Sequence, residues 1–339
     1  MRAGMVTVAA VVLVLLAGCA AQDAGAGETT RPPSTGAAGP ADGCQPVAGD
    51  AIVVLEDDLQ VWPAQNVVPA IYPFAVEAPL VAALDAASAS LDTQTLAALN
   101  RSVDVDGLAP GDVGAAYVAD ARIPVTDTGG SGPVVVGAGG TSESAVLAHI
   151  YAGVLAQAGY EPEVRVVGER EIAVPALTTG EITVVPEYTG ALQAYLQSVP
   201  DPDAPGSSPA ATEPTGEPVA STPEALSGLG ERVGLAFGTP SPARRDLAIA
   251  VTTTFAEEHG VSTLSDLAEA CRGGVILGGP PTLADRAVEL PELEEAYGLT
   301  VSRYTSLDDG GPLTKSALKS GQVALGLVYT TDAALAPTG

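Results

Sequence analysis

A strand-to-helix corner at residues 184–190, with the sequence VVPEYTG, constrains the fold more than any other stretch of the chain. The apolar residues before the corner predict a strand, and Pro186 is expected to end it because proline has no N–H for the ladder. Thr189 and Gly190 then open a helical pattern. Tyr188 is therefore placed at the corner, where open α/β sheets bind their ligands. A tyrosine in a tight loop also packs without binding a ligand, so the local pattern leaves both interpretations open.

The N-terminus has the pattern of an exported protein. Arg2 precedes an apolar run at residues 5–16, which is too short to span a bilayer but suits the core of a signal peptide. The run ends in LAGC, which matches the lipobox of bacterial lipoproteins; an ordinary cleaved signal is the alternative. We expect residues 1–18 to be a lipoprotein signal peptide and Cys19 to carry lipid at the outer face of the cell membrane. Residues 19–49 are rich in Ala, Gly, Thr and Pro and predict a flexible tether.

Charge and cysteine content agree with an extracytoplasmic location. The chain has 41 acidic and 14 basic residues and a net charge of -27. Such a surface repels phosphate backbones, which argues against nucleic acid as a partner. With Cys19 lipidated, Cys44 and Cys271 form an even pair in an oxidising compartment, which favours one disulfide over two free thiols. The sequence has no CxxC motif and no Cys/His cluster, so we expect neither a metal site nor a cofactor.

The order of the predicted elements indicates an α/β sheet. Five successive segments alternate between strand and helix patterns: 133–137, 142–158, 161–167, 172–179 and 182–185. This β-α-β-α-β order predicts parallel strands with right-handed crossovers. Two other segments have no apolar period. Residues 122–132 predict a linker, and residues 199–223, rich in Pro, Ser, Thr and acidic residues, predict a disordered insertion.

The motifs at residues 176–190, 313–332 and 55–69 resemble those of the substrate-binding proteins of ABC importers for glycine betaine, carnitine and choline. Residues 176–190 resemble the family signature "AL..G.ID..PEYTGT", and residues 313–332 resemble "lt..AL..G..d.a..ystD". Residues 55–69 resemble "LeDd..ffP.yn..P", which belongs to the closing segment of the family's domain. The resemblance implies a type II periplasmic-binding-protein fold, with two α/β lobes joined by a hinge and separated by a cleft that holds the solute.

The resembling segments stand in an unusual order. The segment that closes the family's domain lies at residues 51–121, and the segments that begin it lie at residues 134–339. We interpret this order as a circular permutation bridged by residues 122–132, which requires ordinary termini that lie close together. A domain swap between two chains is the alternative. The permutation predicts a lobe 1 at residues 50–237 and a lobe 2 at residues 238–339.

The same order has a consequence for the hinge. One crossing between the lobes is expected to remain near residues 237–245, and the other to be cut between Gly339 and Ala51. Cys44 precedes the predicted lobe 1 and Cys271 lies in the predicted lobe 2. A disulfide between them would restore the missing tie between the lobes.

The resemblance also implies a ligand site. Ligands of the family carry a quaternary ammonium, which is held by the faces of several aromatic rings, and Tyr188 and Tyr329 fall on two of the ring positions. Arg286 falls on an arginine that contacts the ligand carboxylate, with a surface ion pair as the alternative. Glu171 lies near a position that is acidic in some choline-binding members. Leu247 replaces the tyrosine ring of the family's "nntY.l.v" strand. The remaining candidates are Gln65, which replaces another ring, Trp62 three residues from it, and the motif residues Thr189 and Gly139.

These residues favour a monomeric solute-binding lipoprotein. It would capture a small quaternary amine or related osmoprotectant-type solute, of the glycine betaine, choline and carnitine class, and deliver it to an ABC permease membrane subunit. The replaced rings keep a second hypothesis open, a sensor or envelope scaffold with a degenerate cage and no transport role. The sequence carries no nucleophile-elbow, zinc-protease or phosphate-loop motif, so we do not expect an enzyme.

Overall fold

The computed structural model describes residues 43–199, 223–281 and 289–335 of the chain. Its strands are β1 (Ile52–Val54), β2 (Val67–Ile71), β3 (Pro133–Ala138), β4 (Glu161–Val166), β5 (Val184–Tyr188), β6 (Ala236–Phe237), β7 (Leu247–Thr252), β8 (Val275–Gly279), β9 (Val301–Ser306) and β10 (Leu325–Tyr329). Its helices are α1 (Ala78–Ser90), α2 (Thr93–Asp104), α3 (Pro110–Ala121), α4 (Ser142–Gln157), α5 (Arg170–Thr178), α6 (Thr189–Ser198), α7 (Pro223–Val233), α8 (Thr253–His259), α9 (Leu264–Ala270), α10 (Glu289–Tyr297) and α11 (Pro312–Lys319). These strands form two sheets, in the orders β4-β3-β5-β2-β6 and β1-β7-β10-β8-β9. The first sheet is the centre of lobe 1 and the second is the centre of lobe 2.

Lobe 1 has the parallel strands that the alternating order predicts. β3 pairs in parallel with β4 along its whole length and with β5 on its other side. α4 covers this sheet because its apolar residues recur at helical spacing, and Ile150 and Val154 are fully buried. β2 runs antiparallel between β5 and β6, so a segment from the beginning of the chain completes the sheet.

Pro186 does not end the strand at the corner, and this part of the prediction is wrong. β5 continues through Pro186 to Tyr188, and Pro186 lies directly opposite Pro69 of β2. Opposed residues of an antiparallel pair alternate between those that exchange hydrogen bonds and those that do not, so two facing prolines need not cost a ladder bond. The corner itself is present, because Tyr188 is the N-cap of α6, which begins at Thr189.

β1 belongs to lobe 2, which corrects the predicted division of the chain. β1 pairs antiparallel with β7, with Ile52 opposite Thr252, and Leu55 lies in the apolar core of lobe 2. Lobe 2 therefore comprises residues 43–62 and 247–335, and lobe 1 comprises residues 67–237. The prediction placed β1 in lobe 1 because a strand pattern gives no information about a pairing partner 200 residues away.

Both connections between the lobes are intact, which corrects the predicted hinge. They lie at residues 63–66 and 238–246 and run side by side, with Asn66 bridged antiparallel to Arg244. Ile52 of β1 forms a parallel bridge with Leu335, so β1 and the segment after β10 lie next to each other in lobe 2. The order of segments therefore leaves the hinge unbroken.

Cys44 and Cys271 form a disulfide. Both cysteines lie in lobe 2, so the bond does not tie the lobes together as the sequence analysis expected. It instead anchors the segment before β1, in which the Gly49 N–H donates to the Lys319 carbonyl at 3.1 Å. The flexible tether was predicted at residues 19–49. Residues 43–49 are part of lobe 2, so this end of the prediction is wrong.

The predicted linker between α3 and β3 packs against lobe 1. Ile123 is buried in the core of lobe 1, and the Gly130 N–H donates to the Ala158 carbonyl at 3.0 Å. A Cβ atom on Gly130 would collide with the ring of Tyr160, so the close approach of the backbone requires glycine at this point. The linker is thus packed as part of lobe 1.

Several predictions fall on residues that the structure does not describe. These are the signal peptide and Cys19, Arg286, and residues 200–222 of the predicted insertion. In the described ranges, no helix combines the length and the apolar character that crossing a membrane requires.

Candidate functional site

Two tyrosines from opposite lobes face the same guanidinium group. Tyr188 stands at the junction of β5 and α6 in lobe 1, and Tyr329 ends β10 in lobe 2. Arg245 comes from the second hinge segment, and its Cζ lies 3.3 Å from the ring centroid of Tyr329 and 5.5 Å from that of Tyr188. Both distances are within the range at which a cation is attracted to an aromatic face. The site can therefore hold a cation between the lobes.

Glu143 supplies the negative charge of this site. It lies in the first turn of α4, which Thr141 caps, and its side chain is 6% exposed. Its carboxylate accepts hydrogen bonds from the Tyr188 hydroxyl and, at 2.5 Å, from the Asn100 Nδ2, and it pairs with the Arg245 Nε at 3.5 Å. A buried carboxylate needs such partners, because removing it from water is costly.

The two phenol groups are neutral at physiological pH. Burial, followed by the nearby Glu143 carboxylate, raises the pKa of Tyr188 well above its ordinary value. Burial is also the main cause that raises the pKa of Tyr329 to about 12, and the Asp309 carboxylate adds to it. The Tyr329 hydroxyl donates to Asp309 at 2.9 Å. Both rings therefore present uncharged faces with their hydroxyl groups fixed.

Contacts across the cleft hold the lobes together at this point. The Asn100 Nδ2, in lobe 1, donates to the carbonyl of Thr331, in lobe 2, at 3.0 Å. Arg245 adds a second link, since it pairs with Glu143 of lobe 1 and lies on Tyr329 of lobe 2. The structure is thus closed around the guanidinium of Arg245.

The structure brings two of the predicted ligand residues, Tyr188 and Tyr329, to this site. Gln65 is close in the chain to the hinge, but its side-chain oxygen accepts the Ala191 N–H at the start of α6 at 2.9 Å. The Thr189 hydroxyl donates to the Ala64 carbonyl at 2.9 Å and accepts the Asn66 N–H at 3.1 Å. These polar groups join the first hinge segment to the corner and position Tyr188.

The other predicted ligand residues have different surroundings. Trp62 packs against the core of lobe 2, and its Nε1 is buried with no hydrogen-bond partner among the described residues. Glu171 is exposed and lines a surface groove of lobe 1 with Ile172 and Glu181. The Gly139 N–H donates to the Ser144 Oγ at 2.7 Å, in the loop that leads into α4 and Glu143.

Sequence reasoning did not identify Arg245, Glu143 or Asn100. The resemblance held a signal for two of them. Residues 136–143 resemble a further family motif, "VGsKnFTE", which ends at Glu143, and Leu99 and Asn100 resemble its "LN". Arg245 had no such signal. It precedes Leu247, where the sequence analysis noted a lost ring, and only the fold places its guanidinium on Tyr329.

Comparisons with known proteins identify a family for the chain. Residues 47–120 and 132–338 match the model of the substrate binding domain of ABC-type glycine betaine transport systems. The glycine betaine-binding protein YehZ of Escherichia coli (strain K12) is 28% identical over 215 residues, which cover 61% of this chain and 67% of that protein. Substrate-binding proteins of ABC importers act outside the cytoplasm and are in general not enzymes. The resemblance noted in the sequence is confirmed: the chain belongs to the family of substrate-binding domains of ABC-type glycine betaine transport systems.

Proposed function

We propose that this chain captures a small quaternary amine or related osmoprotectant-type solute, of the glycine betaine, choline and carnitine class. The observation that carries the proposal is the pair of uncharged tyrosine faces, one from each lobe, around a single cationic group. A quaternary ammonium donates no hydrogen bonds, so aromatic faces and a counter-charge are the groups that can bind it. Tyr188, Tyr329 and the Glu143 carboxylate supply both.

The position of the rings on opposite lobes gives the ligand a role in closure. A cation that contacts Tyr188 and Tyr329 together binds the closed form more tightly than the open form, in which it reaches only one ring, so it shifts the population toward closure. The paired hinge segments, in which the Arg245 N–H donates to the Gln65 carbonyl at 3.0 Å, allow such a rotation without loss of either connection.

Ligand binding should raise the free energy of unfolding of the mature chain. A solute at 100 times its dissociation constant adds about 2.7 kcal/mol. Thermal unfolding against glycine betaine, choline, carnitine, proline betaine and unmethylated polyamines measures this as a rise in melting temperature. Tyr188→Ala and Tyr329→Ala should each weaken binding by about 2- to 30-fold, because each removes one ring face.

Tyr72→Ala is the matched control for these variants. Tyr72 follows the end of β2 that is remote from the hinge, where its ring packs at a tilt against Phe74, so its loss should leave ligand affinity unchanged. A cooperative melting transition that no member of the panel shifts would contradict the proposed ligand class. The second candidate function, a binding-fold lipoprotein without a transport role, would then be favoured, in agreement with the replaced rings at Gln65 and Leu247.

We further propose that the chain is anchored by lipid on Cys19 and delivers its solute to the membrane subunit of an ABC permease. The LAGC motif and the apolar run before it support the anchor. Cys19→Ser should move the chain from the membrane fraction to the medium and lower uptake of labelled solute by intact cells. Gln22→Ala, three residues further on, should change neither. Retention in the membrane of a Cys19→Ser chain that has lost residues 1–18 would exclude the lipid anchor.

We infer that the chain is a circular permutation of the family's usual order. Two observations support this interpretation: the family match falls into two segments separated by residues 121–131, and Ile52 lies against Leu335. β1 and β2 complete the two sheets within one chain, so no second copy is needed. Light scattering of the mature chain should therefore give the mass of a monomer, whereas a dimer would favour a domain swap.

A further inference from the structure

Arg245 occupies the position that the proposed function gives to the ligand. We propose that its guanidinium is a built-in cation, which holds the lobes closed and must leave Tyr329 before a quaternary ammonium can bind. Arg245 is thus a specificity-determining residue for the site. This inference rests on the proposed function, but the experiment below separates the two.

The distance between Arg245 and Tyr329 excludes simultaneous occupation. The Cζ atom lies 3.3 Å from the ring centroid, which is van der Waals contact, so no methylated nitrogen fits between them. The hydroxyl edge of the ring is also occupied, because Tyr329 donates to Asp309. A ligand cation can therefore reach this face only when the guanidinium leaves it.

The exchange of one cation for another leaves the charge of the site unchanged. Arg245 pairs with Glu143, and a ligand cation that replaces the guanidinium would take over the same carboxylate. Burial by itself would lower the pKa of Arg245, but the surrounding Tyr188, Tyr329 and Glu143 outweigh it and the pKa is raised. The guanidinium therefore keeps its charge at physiological pH. Competition by another cation, and not deprotonation, is the way to displace it.

The backbone around Arg245 is fixed, so the displacement is a movement of the side chain. Its N–H donates to the Gln65 carbonyl at 3.0 Å. At the next residue, the Asp246 N–H donates to the Thr330 hydroxyl and the Asp246 carbonyl accepts the Thr330 N–H, each at 3.0 Å. The neighbouring Arg244 behaves differently. Its side chain is 49% exposed and pairs with Asp246 at 2.8 Å. Only one of the two adjacent arginines therefore occupies the site.

The test is to remove the charge of Arg245 and measure binding of a plain cation. Arg245→Met keeps the apolar stem without the guanidinium, and Arg245→Gln also keeps a hydrogen-bond donor for Glu143, in case the methionine variant fails to fold. Tetramethylammonium and choline are titrated calorimetrically into the soluble part of the chain, residues 20–339, which lacks the lipidated Cys19. We expect either variant to bind them at least about tenfold more tightly than the wild type, because the competing cation is absent.

Two controls define the result. Arg244→Met removes the adjacent, exposed arginine and should leave affinity unchanged, and Arg245→Lys keeps a cation and should gain less than Arg245→Met. Without ligand, Arg245→Met should also show a larger radius of gyration in small-angle X-ray scattering, since the link between Glu143 and Tyr329 is lost.

The outcomes separate the inference from the proposed function. A folded Arg245→Met or Arg245→Gln chain that binds tetramethylammonium no better than the wild type overturns the inference. If the wild type still binds glycine betaine, the proposed function stands without it. If only the variants bind quaternary amines, the inference is supported and the wild type has a different solute. If neither binds any of them, both proposals fail.

Discussion

Removal of the Cys44–Cys271 disulfide should lower the free energy of unfolding of lobe 2 by about 2–5 kcal/mol. The two cysteines are 227 residues apart, so the bond restricts a very long loop in the unfolded chain. It also holds the segment before β1, whose other polar contacts are few. The Thr252 hydroxyl donates to the Val47 carbonyl at 2.8 Å, and β1 itself has three residues at the edge of its sheet.

The measurement uses the only tryptophan of the chain. Trp62 packs against the core of lobe 2, so its fluorescence reports unfolding of that lobe in urea. The double variant Cys44→Ser/Cys271→Ser is compared with the wild type, with and without a thiol reductant. The reductant should destabilise the wild type and leave the double variant unchanged. A loss below about 1 kcal/mol would mean that the strand pairing of β1 anchors this segment without the disulfide.

Most of the helices and strands could be predicted from local sequence patterns, because apolar residues recur at different spacings in helices and in strands. β3 and α4 begin at the predicted residues 133 and 142, and the parallel strands β3, β4 and β5 follow from the βαβ order. The failures concern pairing between distant segments. The short apolar run of β1 does not specify whether it joins lobe 1 or lobe 2, and Pro186 ends a strand only where its missing N–H is needed.

Only part of the site could be predicted from the sequence, because it too depends on contacts between distant segments. Tyr188 and Tyr329 stand in motifs with a fixed local geometry, at the end of a strand. The direction of a side chain in a hinge depends on both lobes at once. Neither the contact of the Arg245 guanidinium with Tyr329 nor the contact of the Gln65 amide with α6 could therefore be predicted from the residues around them. The lost rings were visible in the sequence, but the cation that lies between the remaining two was not.

Arg170→Ala should destabilise lobe 1 by about 3–5 kcal/mol, because it leaves a buried carboxylate without its partner. The Glu187 side chain is 7% exposed and lies in the corner motif, next to Tyr188. Arg170 Nε donates to both of its oxygens at 3.1 Å, and Nη2 donates at 2.7 Å. This two-pronged geometry requires a guanidinium, so Arg170→Lys should recover only part of the loss.

A second arginine of lobe 1 provides the matched control for this pair. Arg165 pairs with Glu163 at 3.3 Å, but the two side chains are 41% and 67% exposed, so Arg165→Ala should cost less than about 1 kcal/mol. Urea unfolding followed by circular dichroism gives both values. The double variant Arg170→Ala/Glu187→Gln should be more stable than Arg170→Ala alone, because the unpaired charge is gone. Equal losses of unfolding free energy for Arg170→Ala and Arg165→Ala would show that water reaches Glu187. The corner at residues 184–190 would then not depend on a buried ion pair.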